Sequence, residues 1–220
     1  AGTGALNVYL PPKAALAIVH ADDSLVAIDK PAGLLSVPGR GEDKADCAVS
    51  RVQAEFSDAL TVHRLDMATS GLLLFARGKD MQRALSGLFE RGEMSKRYIA
   101  DVWGAPEPAA GEINLPLITD WPRRPLQKVD TDIGKPSRTR YETLERWHGA
   151  SRLALTPLTG RSHQLRVHLA TIGHPILGDE FYAEGDARAA RPRLALHAER
   201  LAFCHPATGA PITLEAPCPF

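Results

Sequence analysis

The chain has few cysteines and no surplus of charge. Cys47, Cys204 and Cys218 are its only cysteines in 220 residues. They are widely spaced and form no C-x-x-C pair, which argues against a disulfide framework and a zinc cluster and favours a reducing, cytoplasmic setting. No apolar run approaches the roughly 20 residues needed to span a bilayer. Ala1 to Leu10 lacks the basic and then apolar pattern of a secretory leader, so neither export nor membrane insertion is expected. There is no P-loop, no Gly-rich dinucleotide fingerprint and no G-x-S-x-G elbow. Lys plus Arg and Asp plus Glu each number 26. Composition therefore gives no argument for nucleic-acid binding, and any such footprint must come from local clustering.

What is present reads as one globular domain over residues 1–220. Hydrophobic residues make up 44% and charged residues 24%, ordinary values that leave no room for a large disordered fraction. Leu16 to His20 and Leu25 to Ile28 are β-like runs around the turn formers Asp22, Asp23 and Ser24, predicting a hairpin. A helix is expected across Cys47 to Phe56. Leu72 to Ala76 is a continuous apolar run too short for a typical helix, and reads as a strand buried on both faces. Met81, Leu85, Leu88 and Phe89 mark one face of a helix between Asp80 and Glu93. Tyr98 to Trp103, Arg138 to Trp147, Arg152 to Pro157, Ala195 to Phe203 and Ile212 to Leu214 read as further strands, and Ala105 to Glu112 as a surface connection. Hairpins interspersed with a few helices predict an α+β fold, a mainly antiparallel mixed sheet flanked by helices and loops.

Three clusters stand out chemically. His63 to Gly71 places polar and charged side chains just before the buried strand, so its loop is held at a sheet end. Asp66 there would stay ionised only with a cation or hydrogen-bond donors beside it. On the motif alone, a structural ion pair with Arg64 competes with a catalytic carboxylate. Thr159 to His168 looks like a loop feeding a helix, with Leu165, Leu169 and Ile172 as its buried stripe and Gly173 just past its end. Arg166 flanks that stripe, able to reach a buried carboxylate if one is near or else to face solvent. Between Trp121 and Tyr141, Arg123, Arg124, Lys128, Lys135, Arg138 and Arg140 outnumber Asp130 and Asp132, which suits an RNA contact as well as a solvated loop.

His63-Arg64-Leu65-Asp66 with Thr69-Ser70-Gly71 resembles the signature of the RluA family of pseudouridine synthases. Lys30-Pro31-Ala32-Gly33, Lys96-Arg97-Tyr98, Gly160-Arg161 with His163-Gln164-Leu165-Arg166, and Gly173-His174-Pro175-Ile176-Leu177-Gly178-Asp179 follow in that family's order and cover most of the chain. Leu35 to Gly39, Trp121-Pro122, Arg124-Pro125 and Gln127-Lys128-Val129 are similar to the subgroup without a small amino-terminal S4-like RNA-binding domain. Asp29 stands where many members have Asn, at a position outside the family's active site. The resemblance implies isomerisation of chosen uridines in large-subunit ribosomal RNA and the tRNA anticodon stem-loop, with no cofactor and no metal. No obligate protein partner is expected, and a monomer is the default expectation, which the sequence leaves open. It implies that Asp66 is the catalytic carboxylate, as nucleophile at C1′ or as base at C2′. Arg64 would fill the place of the flipped uridine, Tyr98 would pack on the uracil and help remove the C5 proton, and Arg166 would pair with Asp66. His63, Arg161, Arg123, Arg124 and Lys128 complete the expected RNA contacts, His63 also ordering its loop. Two rival readings are an inactive RNA-binding module on the same scaffold and a hydrolase using Asp66 with a histidine.

Overall fold

The computed structural model describes residues 8–220, so most of the stretch from Ala1 to Leu10, read above as no secretory leader, lies outside the described residues. The expected hairpin forms from β1 (Ala17–Ala21) and β2 (Leu25–Lys30), paired antiparallel. After α1 (Ala48–Gln53) and β3 (Ala59–Thr61) comes β4 (Ser70–Arg77), followed by α2 (Lys79–Glu90) and β5 (Ser95–Trp103). Next are β6 (Ala110–Asn114), β7 (Leu117–Thr119), β8 (Gln127–Val129), β9 (Arg138–Trp147) and β10 (Ala150–Pro157). The chain ends with α3 (Gln164–Thr171), α4 (Gly185–Ala189), β11 (Leu196–Cys204) and β12 (Pro211–Glu215).

Ten of these strands form one sheet in the order β1-β2-β4-β11-β5-β10-β9-β6, with β3 on β4 and β12 on β11. All its pairings are antiparallel except the central one, β4 with β11. That parallel contact is short: Ser70 faces His197 and Gly71 faces Ala198. Beyond it the two strands diverge, β4 continuing beside β3 and β11 beside β12. Gly71 makes the contact possible. Its φ is +111°, and a Cβ there would run into the Ala198 backbone, so only glycine fits both the conformation and the space.

β4 is buried on both faces, as the apolar run predicted. Leu73 and Phe75 pack with Val49 and Val52 of α1, while Leu72, Leu74 and Ala76 pack with Leu85 of α2. A third cluster joins β5 and β10 to Leu165 and Leu169 of α3. The sheet's central strands therefore carry core on both sides, and their ends are fixed points for loops.

Several boundaries differ from the sequence expectations. α1 is shorter at both ends than Cys47 to Phe56, because Cys47 is its N-cap: the Ser50 hydroxyl accepts the Cys47 N–H at 3.0 Å. The expected surface connection from Ala105 to Glu112 includes the start of β6, whose Ile113 is buried against the β5–β10 core. The basic segment contributes β8 to a separate two-stranded sheet with β7, which precedes it, and no periodicity announces the pair because each strand has only three residues.

Candidate active site

The loop between β3 and β4 is pinned at alternate residues. His63 Nε2 accepts the Leu74 N–H at 2.9 Å, and its ring stacks on Phe89 at 4.5 Å. Leu65 is held on both sides by Ser36, whose hydroxyl donates to the Leu65 carbonyl (2.7 Å) and accepts the Leu65 N–H (3.0 Å). The Met67 carbonyl accepts from the Gly33 N–H at 2.8 Å and from Lys30 Nζ at 3.1 Å. Between these pins, Arg64 and Asp66 are turned towards solvent and the site.

Lys30 is fully buried at the end of β2 and also donates to the carbonyls of Pro31 (2.9 Å) and Leu34 (2.7 Å). Burial lowers its pKa to about 7, against the pull of Asp66. A neutral amine has only two N–H bonds, so three carbonyl acceptors are satisfied together only by the ammonium. The Lys30-Pro31-Ala32-Gly33 segment thus clamps the Asp66 loop and brings a positive charge beneath it.

α3 supplies the other wall. Gln164 uses its whole amide: Oε1 accepts from the Thr159 hydroxyl and the Arg161 N–H, and Nε2 donates to the Arg138 carbonyl and the Thr139 hydroxyl. His168 bonds Thr139 and the Leu115 carbonyl. These anchors fix the helix against β9, and Arg166 projects from it into the site. Arg166 is 2% exposed. Its guanidinium donates through Nη2 and Nε to the two oxygens of Asp179, at 2.6 and 2.8 Å, and through Nη1 to Asp66 Oδ2 at 3.2 Å.

Asp179 is fully buried, whereas Asp66 keeps 29% of its side chain exposed. Burial acts to lower the Arg166 pKa, but Asp179 and Asp66 outweigh it and hold the group above its ordinary value. The result is a fixed cation beside a carboxylate that still faces solvent.

Three further groups close around Asp66. Tyr98 of β5 packs between two core clusters, and burial together with the Asp66 charge raises its pKa well above the usual phenol value. His163 precedes α3 with Nε2 3.9 Å from Asp66 Oδ2. Tyr182 bonds His163 Nδ1 at 2.6 Å, and the Arg166 guanidinium lies over the Phe181 and Tyr182 rings.

Of the residues singled out in the sequence, Asp66, Tyr98 and Arg166 meet here. Arg64 is exposed beside Asp66 and forms no ion pair with it among the described residues, so the structural-pair alternative is not what the fold adopts. His63 faces inward rather than towards an RNA surface. Its imidazole is committed to Leu74 and Phe89, and burial lowers its pKa to about 3, so it is a neutral acceptor that orders the loop. Arg161 is exposed near the start of α3 and donates to the Pro136 carbonyl at 3.4 Å. Arg123, Arg124 and Lys128 are exposed around the small sheet. Arg123 pairs with Asp120 at 2.6 Å, Arg124 lies 4.7 Å over the Trp121 ring, and Lys128 stands 3.9 Å from Asp130. Asp179, Lys30, His163 and Tyr182 are the site residues that sequence reasoning left without a role. The first three lie in motifs already marked, but nothing local to those motifs says that their side chains converge.

Two solved structures share this architecture and define the class. A human protein titled RNA Pseudouridylate Synthase Domain Containing 1 superposes with a TM-score of 0.78 at 28% identity, covering 96% of this chain and 87% of that one. The human Domain Containing 4 protein superposes with a TM-score of 0.75 at 25% identity, over 92% and 88% of the two chains. A model of the RNA pseudouridylate synthase family matches residues 24–171, and the chain belongs to that family. It is 51% identical over 214 residues to the dual-specificity RNA pseudouridine synthase RluA of Escherichia coli (strain K12), covering 96% of this chain and 98% of the relative. It is 52% identical to the protein of the same name from Pasteurella multocida, over 98% and 100% of the two chains.

Proposed function

We propose that residues 1–220 work as a single catalytic domain that isomerises uridines in two RNA classes, large-subunit ribosomal RNA and the tRNA anticodon stem-loop, with Asp66 as the reacting carboxylate. The observation that carries the residue assignment is the division of Arg166 between Asp179 and Asp66. A buried cation already matched by a buried carboxylate donates to Asp66 Oδ2 as well, while the outer face of Asp66 remains open to a substrate.

A stacked uridine hides both C1′ and C5, so it is extruded into the site at a cost of a few kcal/mol. Arg64, exposed two residues from Asp66, fills the vacated place in the stack with a planar guanidinium that also meets phosphate. Asp66 then acts on the ribose, either as nucleophile at C1′ or as base at C2′, and the N1–C1′ bond breaks. The freed uracil turns and rejoins through C5, and the C5 proton leaves as N1 regains one, so the reaction is an isomerisation with no net oxidation. Tyr98 packs against the uracil. Because burial and the Asp66 charge keep it a neutral phenol, it takes part in C5 proton loss as a hydroxyl rather than as a phenolate.

Arg161, Arg123, Arg124 and Lys128 contact the RNA backbone around this centre. The enzyme acts as a monomer in the cytoplasm, without an obligate protein partner; the three free thiols, Cys47, Cys204 and Cys218, suit a reducing compartment.

The test is tritium release from C5-tritiated ribosomal RNA fragments and tRNA stem-loops. Wild type should release tritium and leave pseudouridine in both RNAs, and Asp66→Asn in neither. Release from one RNA class alone would limit the substrate range, and equal release by Asp66→Asn would overturn the assignment of the carboxylate.

A further inference from the structure

Among the described residues, His163 is the only non-glycine with a positive φ, 53°. Residues other than Gly take this conformation uncommonly, with Asn, Asp and His the most tolerant of it, and a single such residue marks a backbone held by its surroundings. Here the ring is what is held. It stacks on Phe181 with centroids 5.7 Å apart and meets the edge of Tyr182 at 5.6 Å. Its Nδ1 lies 2.6 Å from the Tyr182 hydroxyl, which accepts the Gln127 N–H at 2.9 Å. With the Asp66 carboxylate beside Nε2, that nitrogen is assigned the ring proton, and the Tyr182 hydroxyl donates to Nδ1. This fixes the imidazole as the Nε2–H tautomer.

Nε2 lies 3.9 Å from Asp66 Oδ2, and Arg166 Nη1 reaches the same oxygen at 3.2 Å. Both donors address Oδ2, while Oδ1 has no hydrogen-bond partner among the described residues. Burial lowers the His163 pKa, with Asp66 opposing the shift, so the ring is a neutral donor at neutral pH. A neutral donor orients a carboxylate without adding a further cation that would make it less reactive.

Resting on the function proposed above, we infer that His163 is a positioning residue for Asp66. Its Nε2–H closes onto Oδ2 when a uridine fills the site, so that Oδ1 is the oxygen presented to the ribose. Catalytic hydrogen bonds are often long in the free protein and tighten with substrate bound; closure by about 1 Å brings this one to ordinary length.

The test uses His163→Asn and His163→Gln in the full chain, with wild type and Asp66→Asn as controls, under single-turnover conditions on a tRNA anticodon stem-loop. Asn suits the left-handed backbone and places its amide near the Nδ1 position, keeping the Tyr182 link but not the reach to Asp66. Gln places its amide near Nε2.

The expected result for His163→Asn is a fall of about 100-fold in rate at saturating RNA, the lower end of what loss of one preorganised donor costs. Its half-saturating RNA concentration should stay within about twofold and its melting temperature should not fall, while His163→Gln should recover about tenfold of the loss. A wild-type rate in His163→Asn, a loss confined to RNA affinity, or no recovery in His163→Gln would each overturn the inference while leaving the Asp66 reading intact. An inactive wild type, or an active Asp66→Asn, would remove that reading and the inference with it.

Discussion

Arg166 holds two carboxylates whose surroundings differ, so substitutions at Asp66 and at Arg166 should separate stability from activity. Asp66→Asn removes one arm of the fork at a partly exposed position, and pseudouridine formation should fall to background while the melting temperature moves by only a few degrees. Arg166→Met leaves the fully buried Asp179 without its cation. That should cost about 3–5 kcal/mol, measured by urea denaturation, in addition to abolishing activity. Equal stability loss in the two variants would contradict the geometry. Asp22, far from this site, gives a pH test. Burial would raise its pKa, but hydrogen bonds from His20 and from the Ser24 and Leu25 N–H groups outweigh it and lower it to about 2. A carboxyl whose pKa is lowered by folding adds stability above its ordinary value of 3.8, and that stability is lost as the pH falls towards 2. The urea midpoint of wild type should exceed that of Asp22→Asn at neutral pH, and the gap should close between about pH 4 and pH 2. The Asp22 turn was legible in sequence because Asx turns are local; the Arg166 fork was only half legible, since its stronger partner is 13 residues away across a loop.

At the scale of elements, β4 and the loop before it decide how precisely Asp66 is placed. Lys30→Met removes the donor from three carbonyls at the end of β2, and should cost on the order of 3 kcal/mol. Its effect should be concentrated locally, with faster amide exchange from His63 to Thr69 than in wild type. Gly71→Ala should destabilise the protein severely, because the added Cβ meets backbone rather than a yielding side chain; a melting temperature equal to wild type would refute the close β4–β11 approach. The strand itself was readable as an apolar run of five residues, and α2 from its i, i+4, i+7 pattern. By contrast β7 and β8 are too short to carry a period, and β6 was obscured by the Pro- and Ala-rich segment around its start. β6 depends on pairing with β9, distant in sequence, whereas β7 and β8 are held by pairing with each other across a short connection.

For the molecule as a whole, zero net charge means that RNA affinity must come from where the cations sit. Arg64, Arg124 and Arg161 are exposed and form no ion pair among the described residues, whereas Arg123 is largely committed to Asp120. RNA binding should therefore weaken with salt, and Arg124→Ala should reduce the slope of log affinity against log salt by about 0.7–0.9 if one phosphate contact is lost. Arg123→Ala should change it less. Affinity independent of salt would remove the proposed basic surface. The sequence by itself determined the mixed, mainly antiparallel fold, the buried strand and the motifs that carry Asp66, Tyr98 and Arg166, because periodicity and short motifs are local properties of a chain. Only the tertiary structure decided that Asp179 shares Arg166, that Lys30 clamps the Asp66 loop, that His63 faces inward and that His163 stands beside Asp66. Those depend on side chains up to about a hundred residues apart meeting at one sheet end, where burial sets which charges survive and which way each ring must turn.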